Sequence, residues 1–100
     1  MSYTIFVKYF DWDDEKNEQL KQERDVSFED VLLAIENNLI LDIVEHTNKK
    51  HYSNQKIFIV NVNMYAYLAP FVEDEVKIFL KTIIPSRKAT KKYLIERKVK

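Results

Sequence analysis

Hydrophobic and polar positions change period several times along the chain. Residues 3–10, Tyr3-Thr4-Ile5-Phe6-Val7-Lys8-Tyr9-Phe10, are mostly β-branched or aromatic and predict a strand. Polar residues follow. Asp11 or Asp13 offers an N-cap, and Asp13, Asp14 and Glu15 place negative charge where a helix N-terminus favours it. The helix so predicted, about Asp13 to Arg24, has Trp12 at its entrance and Leu20 as its apolar anchor, with Lys16 one turn before Leu20 on the same face. So narrow a stripe buries little, and the helix is expected to lie across another element or line a wet groove.

Ser27 is a cap for a second helix, with Glu29 and Asp30 in its first turn. Phe28, Val31, Leu32 and Ile35 give that helix a core-facing stripe, and Asn37-Asn38 ends it, since asparagine tolerates the left-handed conformation. From Leu39 the period shortens. Leu39 to Val44 predicts a strand, His46 to Gln55 a polar loop, and Lys56 to Val62, Tyr65 to Val72 and Val76 to Ile84 three further strands. The turns at Asn63-Met64 and Glu73-Asp74-Glu75 are short, which implies an antiparallel meander. Pro70 places its strand at an edge or a bulge. Pro85 stops the last strand, and Ser86 caps a terminal helix from Arg87 to about Arg97, with Ala89, Tyr93 and Leu94 toward the sheet. The expected fold is α+β: two N-terminal helices and a C-terminal helix packed on an antiparallel sheet of four to five strands. Without repeats, linkers or low-complexity segments, residues 1–100 read as one domain.

Composition then narrows the chemistry. The 100 residues include no glycine and no cysteine. Glycine-built phosphate loops, G-x-G-x-x-G turns and nucleophile elbows are excluded. So are disulfides, thiolate zinc sites and cysteine nucleophiles. Asp42, Glu45, His46 and His51 match no metal-ligand spacing, so neither a metal nor a cofactor is expected. No signal peptide or apolar run approaching ~18 residues is visible, which points to a cytoplasmic protein without a membrane anchor.

Sixteen Lys and Arg against sixteen Asp and Glu give a formal net charge of zero. That sum hides two opposed fields. Residues 1–85 hold 9 basic and 15 acidic side chains (−6), and residues 86–100 hold 7 basic and 1 acidic (+6). On a helix Arg87 and Lys91 share a face, as do Lys88 and Lys92. Such an array suits a polyanion; a solvated tail, or one docked on acidic protein surface, is the alternative.

Phe10-Asp11-Trp12-Asp13, then Lys16, then Val26-Ser27-Phe28-Glu29 resembles the opening of BrnT-type toxins. Ile83-Ile84-Pro85-Ser86-Arg87-Lys88-Ala89-Thr90-Lys91-Lys92 resembles the close of the same family. The resemblance spans about Phe10 to Lys92. It implies a RelE-like ribonuclease fold and the toxin half of a type II toxin–antitoxin module. Its activity would be metal-independent RNA cleavage. Its partners would be a cognate antitoxin (BrnA-like), an RNA substrate, and promoter DNA reached only through the antitoxin complex. Three places differ from the family pattern. Glu23, Arg24 and Asp25 stand where Lys-His-Gly is usual. Arg97 stands where a late tyrosine is common, the tyrosine of this chain being at Tyr93. Pro85 replaces a serine or small residue. A catalytically degenerate RNA- or antitoxin-binding module of the same fold is therefore the alternative.

Metal-free RNA cleavage needs a base for the 2′-OH, positive charge on the phosphate and an acid for the leaving oxygen. Arg87, at a strand-to-helix junction, has the planar permanent charge for the phosphate. Otherwise it is a capping-turn arginine in a surface salt bridge. Lys91 and Lys92, with Lys88 beside them, would hold the RNA backbone. Lys16 matches the family position and is a further groove candidate, or it snorkels over Trp12. His46 and, after it, His51 have the ordinary pKa suited to proton transfer near neutral pH. Tyr93 is a candidate acid–base whose simpler role is packing. The other aromatics read as core, and Trp12 as a lid on the first helix.

Overall fold

The computed structural model describes residues 8–45, 50 and 55–96. The chain runs β1 (Tyr9–Asp11), α1 (Asp14–Arg24), α2 (Phe28–Glu36), β2 (Ile40–Glu45), β3 (Gln55–Val62), β4 (Tyr65–Glu73), β5 (Lys77–Leu80), β6 (Ile84–Pro85) and α3 (Arg87–Thr90), which widens into a π turn at Lys91–Ile95. The strands order as β1-β5-β4-β3-β2, with β6 paired to β4. The α+β class and the helix order match expectation.

Local chemistry explains the first two helices. The Asp13 carboxylate accepts from Lys16 N at 3.0 Å and caps α1. Asp25 ends α1 in the left-handed region, φ 56°, with its N–H on Lys21 O. Ser27 and Asp30 form a reciprocal capping box at the start of α2. Between the helices sits Asn17, 4% exposed. Its Oδ1 accepts from Phe28 N and its Nδ2 donates to Glu29 Oε1, both at 2.8 Å. One polar side chain thus satisfies an orphan N–H of α2 and locks the pair.

Strand alternation gives the sheet two covered faces. Phe58, Val60, Ala69 and Phe71 face α1 and α2 and pack with Leu20, Val26, Phe28, Val31 and Ala34. Trp12 stacks on Phe28, centroids 5.5 Å apart, and so closes this core from the side as a lid would. On the opposite face Ile59 and Ala66 pack against Ala89, flanked by Leu41, Leu68, Tyr93 and Leu94. The −6 body and the basic segment therefore meet across the second face.

Several expectations are corrected. The sheet is mixed, because β1 pairs parallel with β5. Its sequence neighbour is α1, so β1 returns to the sheet at the edge far from β2 rather than as a hairpin. Counting two-residue β6, six strands form it among the described residues, not four to five. The strand expected over 76–84 breaks after Leu80 and resumes at Ile84. Pro70 explains the break. It lies inside central strand β4, not at an edge, and its carbonyl accepts from Lys81 N. A strand residue's N and O point to the same side, so the missing N–H falls where β5 has ended and β6 has not begun. In α2 the buried stripe is Phe28, Val31 and Ala34 with Ile35 beside it, while Leu32 is half-buried. The C-terminal helix is α-helical for one turn only before its π turn.

Candidate functional site

The basic segment is fixed to the sheet by one hydroxyl and one backbone N–H. Ser86 Oγ accepts from Ala89 N at 3.0 Å, the cap expected of it. Thr90 is 7% exposed, and its Oγ1 accepts from Ala66 N and donates to Ser86 O, both at 2.8 Å. Ser86 N in turn donates to Ala66 O. One side chain, Thr90, and one backbone N–H, that of Ser86, thus bond the backbone of Ala66 in β4, and Ala89 fills the apolar contact beside them.

With Ala89 and Thr90 turned to the sheet, Arg87, Lys88, Lys91 and Lys92 are exposed. Among the described residues the ion pairs are Lys8–Glu73, Lys21–Glu18 and Lys77–Asp11. All use lysines of the body. The side chains of Arg87, Lys88 and Lys91 enter none, so the salt-bridged form of Arg87 is not the one observed. Lys92 Nζ lies 5.1 Å from the ring centroid of Tyr93. Tyr93 is half-buried in the apolar cluster, and its hydroxyl donates to Asp42 Oδ2 at 2.6 Å.

Lys16 is half-buried on α1, over the opposite face of the sheet, and its side chain enters no ion pair among the described residues. It is not brought directly beside Arg87. The link between the two regions is Arg24, two turns further along α1, whose guanidinium donates to Ile83 O four residues before Arg87. Arg24 was legible only as a departure from the family pattern. The spacing Lys16-Leu20-Arg24 is the signal that places it on the same face of α1 as Leu20. His46 and His51 lie outside the described residues, as does Arg97. Among the described residues no three Asp or Glu side chains converge as a metal site would need.

The remaining concavity of note, about 160 Å³ between α2 and the β3–β4 turn, is lined by Asp30, Leu33, Leu39 and three asparagines. It is on the α2 side, away from the basic helix. Three expected groups, Arg87, the lysines and Tyr93, are thus carried by one short helix, with permanent charge outward and the phenol at its flank.

A crystal structure of the Brucella abortus ribonuclease toxin BrnT superposes with a TM-score of 0.61, over 80% of this chain and 97% of that one. This chain shares the fold of BrnT. The two sequences are 13% identical, so the likeness is one of fold. No protein-family model matches the chain, and no curated protein does. The terminal motifs and the fold thus agree on the BrnT type of architecture, a three-helix α+β fold with a mixed sheet. Within that architecture Asp25 takes the left-handed position where the family motif has glycine, and Arg24 rather than histidine points to the segment between β5 and β6, before the basic helix. Among the described residues no helix is long and apolar enough to cross a membrane.

Proposed function

We propose that this chain is a single BrnT-like toxin domain over residues 1–100 that cleaves RNA without a metal. Its partners would be a cognate BrnA-like antitoxin and, through that complex alone, promoter DNA. It would act in the cytoplasm. The observation that carries the reading is the exposed face of Arg87, Lys88 and Lys91, which no acidic side chain neutralises among the described residues. The BrnT-type fold beneath it adds support.

In this reading the lysines, with Lys16 further along, neutralise successive RNA phosphates. Arg87 forks onto the scissile phosphate and stabilises the charge that grows as the 2′ oxygen attacks. His46, His51 and Tyr93 are the candidates for moving protons. The test is incubation of the purified chain with a long single-stranded RNA in EDTA. Cleavage by the parent, and its loss in Arg87→Ala with the fold intact, supports the reading; no cleavage by the parent defeats it. Glu23 and Arg24, standing where the family motif has Lys-His, favour a second reading as an RNA- or antitoxin-binding module. Saturable binding without cleavage in the same tubes is its signature.

A further inference from the structure

We infer that Asp42 is a positioning residue that holds the Tyr93 phenol as the proton acceptor of the cleavage step. The inference deepens the ribonuclease reading and rests on it.

Three observations meet at one point. The first is the 2.6 Å hydrogen bond from the Tyr93 hydroxyl to Asp42 Oδ2, which joins the C-terminal helix to edge strand β2 across 51 residues of sequence. The second is a β-bulge. Ile40 pairs with Val60 and Asp42 with Ile59, so Leu41 has no counterpart on β3. Ile40 belongs to the core under α1 and α2, and Leu41 to the opposite cluster. The bulge therefore turns two consecutive residues toward the C-terminal helix: Leu41 as packing, and Asp42 as a charge aimed at Tyr93. The third is the π turn Lys91–Ile95, with Tyr93 at its centre. Bulges and π turns are both local departures that concentrate at functional sites. A tether between helix and sheet requires neither, and Thr90 already supplies one.

The chemistry fits the pair. A phenol oxygen accepts a hydrogen bond while it donates one. As the 2′ oxygen bonds to phosphorus, its proton passes to Tyr93 Oη and the phenolic proton passes to Asp42 Oδ2. The bond from phosphorus to the 5′ oxygen breaks, leaving a 2′,3′-cyclic phosphate. The departing 5′ oxygen takes a proton from water, and the hydroxide so formed is neutralised by the proton held on the pair. Lys92, over the Tyr93 ring, keeps a positive charge beside the phosphate throughout.

The experiment is steady-state cleavage of a fluorogenic RNA oligonucleotide in EDTA by the parent, Asp42→Asn, Asp42→Glu and Tyr93→Phe, each with its melting temperature. Asparagine keeps an acceptor oxygen for Tyr93 but cannot take the proton. Expected are kcat losses of ~100-fold or more in D42N and Y93F, little change in KM, small melting shifts, and partial recovery in D42E. A D42N or Y93F enzyme with parental kcat overturns the inference and leaves the ribonuclease reading standing. Losses confined to KM and melting temperature overturn it as well. A parent that binds the oligonucleotide without cutting it overturns both.

Discussion

Replacing Thr90 with valine isolates the contact that mounts the basic helix on the sheet. Valine matches threonine in shape but has neither the donor nor the acceptor. Ser86 O loses one of two partners, because Thr90 N also donates to it at 3.0 Å. Ala66 N–H fares worse. Ser86 N donates to Ala66 O, so both backbone groups of Ala66 face residues 86–90 rather than β3, and Ala66 is fully buried. The valine variant leaves that N–H without an acceptor, which costs about 1–3 kcal/mol. In a domain of this size 1 kcal/mol moves the melting temperature by roughly 4–8 °C, so a fall of about 10 °C is expected. Thr90→Ser is the control: it keeps both hydrogen bonds and loses a methyl, about 1 kcal/mol. Urea unfolding with a common m-value measures the difference. If T90V and T90S unfold at the same urea midpoint, the hydroxyl is not what holds the helix.

Two further outcomes follow from the fold. Asn17→Ala orphans the Phe28 N–H and removes the amide hydrogen bond that is the chief cause of the lowered Glu29 pKa. A carboxyl held low stabilises the fold above its ordinary value of 4.5 and loses that contribution as pH falls through the folded value. The N17A penalty, roughly 1–3 kcal/mol at pH 7, should therefore shrink in acid unfolding curves. A penalty that grows toward low pH would contradict this. Met64→Gly should stabilise the chain, because Asn63 and Met64 both have positive φ, 55° and 66°, in the two-residue β3–β4 turn. Relief of the left-handed cost, less the entropy glycine loses on folding, leaves about 0.5–1 kcal/mol, read as a higher urea midpoint; a lower one refutes the turn assignment.

The parts of this molecule legible in the sequence are those set by neighbours in the chain. Asp13, Ser27 and Ser86 cap because a short oxygen precedes a helical stretch, and each does so in the structure. Asn37-Asn38 and Asn63-Met64 mark turns because asparagine tolerates positive φ, which Asn38 and Asn63 adopt. What escaped depends on distant partners. Asn17 is polar in a polar helix, and nothing local says that it is buried on α2. Pro70 looked like an edge residue because a missing N–H is harmful beside a paired strand. Its own ladder is interrupted there, which no local pattern announces. The parallel β1–β5 pair joins residues 9–11 to 77–79, a contact no window could see. At the site, Arg87 and the lysines were readable as a charge run. The Tyr93–Asp42 bond was not, since it depends on a bulge in one element and a π turn in another. The absence of glycine acquires a physical meaning: left-handed positions fall to Asp25, Asn38, Asn63 and Met64.

The central claim, that the basic helix supplies most of the contact with RNA, is tested most directly by salt titration. Fluorescence anisotropy of a labelled single-stranded 2′-O-methyl RNA, which cannot be cut at its own 2′ position, gives affinity against potassium chloride. Each phosphate neutralised contributes a slope of about −0.7 in log K against log salt, so Arg87 with Lys88, Lys91, Lys92 and the more distant Lys16 predicts about −3.5. The triple variant K88A/K91A/K92A, which keeps Arg87 and Lys16, should bring the slope to roughly −1.4. A parent affinity indifferent to salt, or a triple variant with the parental slope, would contradict the account.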